Sequence, residues 1–167
     1  MKSASKNLKS LFYVVRATEV QKKIIEHYLT SGIKVALVDR NCITYILNHP
    51  AIYMKMQDMA VNEKVHNDFE MSNKIILLLE MIKYCESVGD KLLVFTSSIA
   101  TLKYIEYVLS FMKSTWFTDG HTAKTNLLRD QWSWEKGEDF EIIDGTTKSV
   151  DRLKIQNNFK NKVLDFG

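Results

Sequence analysis

The chain has 167 residues, 46% hydrophobic and 26% charged, which suits one ordinary domain or a piece of a larger one and excludes a disordered segment. Its formal net charge of +3, from 23 Lys and Arg against 20 Asp and Glu, tolerates a nucleic-acid partner without requiring one. Two cysteines, Cys42 and Cys85, each inside an apolar helical pattern, exclude a disulfide framework, and no apolar run nears the ~20 residues of a membrane span. With no signal-peptide pattern at the amino terminus either, a soluble intracellular protein without a membrane partner is expected.

Residues 1 to 10 are polar and are expected to fray, after which Leu11-Phe12-Tyr13-Val14-Val15 has the composition of a strand. Thr18 and Gln21 stand at capping-box spacing, and Val20, Ile24, Ile25 and Tyr28 supply the apolar stripe of a helix that stops near Gly32. Val35, Val38, Cys42 and Ile46 repeat at three and four residues, predicting a second helix halted at Asn48-His49-Pro50 by the chain's one proline. Residues 54–71 show no clear period and read as a linker between a first unit, 1–53, and a second, 72–167.

The second unit begins with Ser72, placed to cap a helix whose stripe is Ile75, Leu78, Leu79, Ile82 and Cys85, with Met71 and Ile76 spaced for a hydrophobic staple. Gly89 supplies the left-handed stop, and Lys91-Leu92-Leu93-Val94-Phe95 follows as a strand expected to be buried on both faces. Beyond the hydroxyl loop Thr96-Ser97-Ser98, residues Leu102, Ile105, Leu109 and Met112 mark another helix. The stretch 113–139, which holds Trp116, Trp132 and Trp134, is too polar and irregular for regular structure and reads as an insertion. Phe140-Glu141-Ile142-Ile143 is a second strand, Asp144-Gly145-Thr146-Thr147 a turn, and Leu153, Gln156 and Phe159 lie along a last helix. An α/β layer is the fold class this order implies.

Chemistry is expected at two polar corners of one design. Thr96, Ser97 and Ser98 follow the first strand, and Gly145, Thr146 and Thr147 follow the second. In an open α/β sheet, ligands collect beyond the carboxyl ends of parallel strands, so the corners are predicted to be neighbours. Hydroxyl donors and free helix amides suit an anionic oxygen such as phosphate, Gly145 leaves room for it, and Arg152 can add a charge-assisted contact. Asp144 repels an anion and is cast as a turn-former. The plainer alternative is that the hydroxyls only cap helices and Gly145 only makes a turn. His27, His49, His66 and His121 lack paired ligand spacing, so no metal site is expected; His49 with Cys42 reads as a helix-end and core pair. The tryptophans are read as packing the insertion onto its own domain, with base stacking or a partner as the alternative, and Lys22-Lys23 as a solvated face.

These residues carry a family resemblance. Val88-Gly89-Asp90-Lys91-Leu92-Leu93-Val94-Phe95-Thr96-Ser97-Ser98, then Ile142-Ile143-Asp144-Gly145-Thr146-Thr147 and Arg152, resemble the start of the second RecA-like lobe of the sucrose-non-fermenting (Snf) family of helicase-like chromatin-remodelling ATPases. Ser72-Asn73-Lys74 is similar to that family's Ser-Gly-Lys entry to the lobe, and Ile46-Leu47-Asn48-His49-Pro50 to its Cys-Asn-His-Pro helix end, which closes the first lobe. Val15-Arg16-Ala17-Thr18 through Gln21 resembles the strand and capped helix before it. The insertion, with Trp132 and Trp134 close to the second strand, is most similar to the alpha-thalassaemia X-linked (ATRX) and androgen-receptor-interacting branch. Asn73 replaces a glycine of the family, Ser97 its common glutamine, and Asp165-Phe166-Gly167 does not continue its next strand.

The resemblance implies an incomplete RecA-like C-terminal lobe, of the P-loop NTPase class, preceded by a helical segment from the end of lobe one. It implies a nuclear parent that translocates along double-stranded DNA in chromatin, uses ATP and magnesium, and relies on its remaining lobes. This chain itself has no Gly-x-x-x-x-Gly-Lys-Ser/Thr loop and no late arginine motif, so it is expected to hold no nucleotide and to be inactive alone. Thr96, Ser97, Ser98, Gly145, Thr146, Thr147 and Arg152 are then the expected contacts to the DNA backbone, which position without reading sequence. A non-catalytic DNA- or protein-binding module is the competing expectation.

Overall fold

The computed structural model describes residues 13–31, 36–115 and 135–161. They form α1 (Glu19–Thr30), α2 (Ala36–Asn48), α3 (Pro50–Met56), α4 (Glu63–His66), a 3-10 turn at Phe69–Met71, α5 (Asn73–Val88), α6 (Ile99–Thr115) and α7 (Ser149–Asn161). Among the described residues no helix is long and apolar enough to cross a membrane.

Local signals set most of the helix ends. Thr18 and Gln21 make the full reciprocal capping box at the start of α1, and Ser72 Oγ accepts from the Ile75 amide at the start of α5. Gly89, at φ 71°, takes the left-handed conformation after α5, and the Asp90 amide donates to the Cys85 carbonyl at 2.8 Å, closing the helix in the Schellman manner. Pro50 does more than stop α2. His49 is an extended N-cap whose Nδ1 accepts from the Ala51 amide, and Pro50 is the first residue of α3, where its missing N–H costs nothing.

The core lies where α3, α5 and α6 meet. Ala51, Ile52, Ile75, Tyr104 and Val108 are buried together, flanked by Tyr45, Val61, Phe69, Leu79, Ala100 and Tyr107. A second cluster joins Ile82 of α5 to Leu109 of α6, with Leu78, Leu92, Ile105 and Phe140 against it. Helix α6 is therefore covered on two sides. The stripe Leu102, Ile105 and Leu109 identifies only one of them; Thr101, Tyr104 and Val108 are the more deeply buried row. Residues 54–71, which read as linker, carry the end of α3, α4 and the 3-10 turn, and residues 66–69 of this stretch pack on α6. The Tyr104 hydroxyl donates to the His66 carbonyl at 2.9 Å, the Tyr107 hydroxyl meets Asn67 Oδ1, and Phe69 stands edge-on to Phe111 with centroids 5.5 Å apart.

The expected strands are the main correction. Tyr13–Val15, Lys91–Phe95 and Glu141–Ile143 are non-helical but unpaired, and the described residues contain no strand, only an isolated parallel bridge between Lys136 and Phe140. Leu11 and Phe12 lie outside the described residues. An apolar run has the propensity for a strand, but a ladder needs a partner at hydrogen-bonding distance, and none of these runs has one among the described residues. Burial on both faces fails for the same reason: Leu93, Val94 and Phe95 are exposed, Phe95 at 89%. The α/β RecA-like lobe is thus not seen here; the described residues are mostly helical.

Candidate functional site

The Thr96-Ser97-Ser98 corner is held by its own hydroxyls. Thr96 Oγ1 accepts from the Ser98 amide at 3.4 Å, and Ser98 Oγ accepts from the Thr101 amide at 3.3 Å, capping α6. Ser97 is exposed between them. The second corner is an Asx turn. Asp144 Oδ1 accepts from the Thr146 amide at 2.8 Å and the Thr146 hydroxyl at 2.7 Å, while Thr147 Oγ1 accepts from the Asp144 amide at 3.0 Å. These bonds, with the Thr146 hydroxyl foremost, hold the Asp144 carboxyl below its usual pKa.

Arg152 reaches back from the first turn of α7, its Nη2 donating to the carbonyls of Asp144 at 2.9 Å and Thr147 at 3.3 Å. It braces the turn while remaining exposed. Gly145 is open, since a Cβ built there meets nothing within 4 Å. Hydroxyl, open glycine and guanidinium are therefore gathered at 144–152, and a hydroxyl pair with a helix start at 96–101.

The segments that lead into the two corners start from one cluster. Leu92 and Phe140 pack on the same Ile82–Leu109 cluster, and each lies four residues before its corner's first polar residue, Thr96 or Asp144. Two further contacts fix the second segment to the first: Lys136 pairs with Glu106 of α6 at 2.8 Å, and the Lys91 ammonium lies 5.3 Å from the Phe159 ring centroid and donates to the Phe159 carbonyl.

The polar centre that sequence reasoning passed over is Asn48-His49. Its residues read as a stop signal, as the family's helix end and, for His49 with Cys42, as a helix-end and core pair, but not as a hydrogen-bonding centre, although two hydrogen-bonding side chains at the end of an apolar helix must find partners if that end is buried. Asn48 Nδ2 donates to Thr101 Oγ1 at 3.0 Å, Asn48 Oδ1 accepts from Lys74 Nζ at 3.0 Å, and the Asn48 carbonyl accepts from Ser72 Oγ at 2.6 Å. His49 is fully buried, stacked on Tyr104 at 4.5 Å; with Nδ1 accepting, Nε2 carries the proton and donates to the Asp68 carbonyl at 3.0 Å. Burial holds this imidazole below its ordinary pKa, and His66, edge-on to Tyr104 and Tyr107, is lowered for the same reason. Gln21 completes the centre. Its Nε2 donates to the carbonyls of Ile46 at 2.8 Å and Leu47 at 3.1 Å, satisfying the end of α2 from α1.

Among the described residues no three His, Cys, Asp or Glu side chains gather as metal ligands. Cys42 is buried and accepts from Gln57 Nε2 at 3.5 Å. His121, Trp116, Trp132 and Trp134 lie outside the described residues.

No family model matches the chain, and no solved structure matches it significantly. Curated relatives do. The chain is 46% identical over 103 residues to a transcriptional regulator ATRX homolog of Caenorhabditis elegans, covering 60% of this chain and 8% of that protein. It is 39% identical over 90 residues to Protein CHROMATIN REMODELING 20 of Arabidopsis thaliana, covering 54% of this chain and 5% of the relative. A third similarity, 26% over 103 residues, is to Helicase ARIP4 of Xenopus tropicalis, with 60% of this chain and 7% of the relative covered. The chain thus spans less than a tenth of the length of the relatives it matches. Over about 60% of its length it is homologous to these proteins, and it is a partial relative of the ATRX and ARIP4 branch of the Snf-like helicases.

Proposed function

We propose that the chain supplies phosphate-backbone contacts to double-stranded DNA as part of an ATP-dependent translocase or chromatin remodeller of the nucleus. One observation carries the reading: the two polar corners, at Thr96-Ser97-Ser98 and Gly145-Thr146-Thr147, end non-helical segments that leave a shared cluster at Leu92 and Phe140, and each precedes a helix. Ser97, Gly145, Thr146 and Arg152 are exposed, as contacts to a large polyanion must be, and Thr146 would have to release its bonds to Asp144 Oδ1 to donate to a phosphate. Such contacts are hydroxyl, amide and guanidinium bonds to phosphate oxygens, which fix register on a duplex without reading bases. Chromatin, and the remaining lobes of a longer parent, are the partners in this reading.

ATP and magnesium belong to that parent in the same reading. The residues present do not fit them: the sequence has no Gly-x-x-x-x-Gly-Lys-Ser/Thr cradle, and the one carboxylate in either corner, Asp144, is committed to its own turn. No catalytic step is therefore assigned to this chain.

Titrating the 167-residue chain against a labelled duplex, with anisotropy as the readout, tests the reading. Affinity is expected to fall with salt at a log-log slope of about −0.9 per phosphate contacted, and Arg152→Ala with Thr146→Val is expected to weaken binding on every sequence alike. Binding that ignores salt, or is unchanged in those variants, overturns it. A protein-docking module is the second reading, favoured by the exposed apolar residues Leu93 at 63% and Phe95 at 89%; its binding would survive salt.

A further inference from the structure

The first corner is not an isolated loop, because its capping bond continues into the Asn48 centre. Thr101 is 5% exposed and held at both of its polar groups: its amide donates to Ser98 Oγ at 3.3 Å, and its hydroxyl accepts from Asn48 Nδ2 at 3.0 Å. On the far side Lys74 Nζ donates to Asn48 Oδ1 at 3.0 Å, which fixes which end of the amide faces Thr101, since an ammonium has no acceptor to offer. The Asn48 carbonyl is clamped by Ser72 Oγ at 2.6 Å, and Ser72 is fully buried. At the near end the Ser98 amide donates to Thr96 Oγ1 at 3.4 Å, and the Leu102 amide to the Ser98 carbonyl at 3.0 Å.

The path Lys74–Asn48–Thr101–Ser98–Thr96 therefore links the end of α2, the start of α5 and the corner before α6. We infer that Thr101 and Asn48 are positioning residues for the Thr96-Ser97-Ser98 corner, so that its fitness to grip a phosphate oxygen depends on how α2 ends against α5. The physical basis is directional. With its lone pair held by the Thr101 amide, Ser98 Oγ keeps its own proton to donate, and its direction is set by where Thr101 sits. Asn48 sets Thr101 from a different part of the chain, 53 residues away. An unheld first turn frays and spreads that donor over many directions, whereas a held one presents a single direction.

The part concerning DNA rests on the proposed backbone contacts; the positioning itself does not, and the experiment separates them. In the 167-residue chain, Thr101→Val, Thr101→Ser, Ser98→Ala and the double variant Thr101→Val/Ser98→Ala are compared by amide hydrogen exchange and by duplex anisotropy. Exchange at Thr101 and Leu102 reports the corner, and exchange at Ile82 in α5 reports overall stability. Thr101→Val is expected to speed exchange at the corner amides by ~3- to 10-fold beyond any change at Ile82, and Thr101→Ser to restore it. Duplex affinity is expected to fall by a similar factor in Thr101→Val and in Ser98→Ala, with the double variant no weaker than either. Equal acceleration at the corner and at Ile82 would reduce Thr101 to a core residue and overturn the inference, as would losses of affinity that simply add. Should none of the variants alter duplex binding while the corner amides still accelerate selectively, the backbone-contact reading fails at this corner and the positioning role stands.

Discussion

Residues 13–109 and residues 135–161 are two different kinds of surface in one chain. Every described side chain that is fully or almost fully buried lies in the first region, where three helices and a polar centre close around Tyr104 and His49. In α7 only Ile155 is half-buried among the described side chains, Val150 and Leu153 are 77% and 60% exposed, and the helix is tied back mainly through Lys91 and Phe159. The difference is one of burial: the first region holds the buried core, and the second leaves most of its side chains exposed. The corner at 144–147 is held by its own Asx turn and Arg152, whereas the cap of the corner at 96–98 ends on buried Thr101, whose hydroxyl accepts from Asn48 Nδ2.

Mutations at matched positions should widen or erase that contrast. Tyr104→Ala removes a ring from the main cluster, its bond to the His66 carbonyl and its stack on His49, and is expected to cost ~3–5 kcal/mol in a urea melt, while Leu153→Ala in α7 stays within ~0.5 kcal/mol. Comparable losses at both positions would mean that α7 is buried in solution. Gln21→Leu is expected to cost ~1–3 kcal/mol, since the carbonyls of Ile46 and Leu47 lose their donor at a buried helix end.

A pH series also distinguishes the regions. His49 is held neutral by burial, with its folded pKa below that of the unfolded chain, so the unfolded state takes up a proton first as pH falls. The stabilisation from a neutral His49 is complete above about pH 6.5 and is lost progressively below it, with His66 acting in the same direction. His49→Gln should flatten the acid side of the stability profile measured by thermal melting, whereas Arg152→Ala should leave its shape unchanged. Smaller again is Thr18→Ala, at ~1 kcal/mol for the capping box of α1. Gly145→Ala is the smallest, within ~0.5 kcal/mol, because the added methyl enters open space; a large loss in a denaturant melt would show that the turn is packed.

What could be read from residues alone were the features whose cause is local. The capping box at Thr18 and Gln21, the Gly89 terminator, the Ser72 cap and the stripe through Ile75 and Ile82 each depend on neighbours a few positions away, and each is found as expected. The corners were legible as turns and caps for the same reason. Features set by distant partners were not. Leu92–Phe95 has the composition of a strand, but pairing is a property of two segments, and no second segment meets it among the described residues. Tyr104 belongs to the buried row of α6 because residues 66–69 fold over it, and nothing in an aperiodic stretch of Met, Asn and Lys announces that. Asn48 was hidden differently: its three partners are spread over residues 72 to 101, and a helix-end asparagine satisfies a stop signal whether or not it has them.

The junction at His49 has a consequence for how the chain tolerates changes of length. One residue separates the last turn of α2 from the first of α3, and that residue caps the second helix while its other ring nitrogen holds Asp68. There is no slack in which an extra residue can be absorbed. Inserting one would have to be taken up as a rotation of about 100° in one helix relative to the other, swinging Ala51 and Ile52 from the interior toward solvent. The spacing between these two helices is thus as strictly specified as any side chain in the molecule.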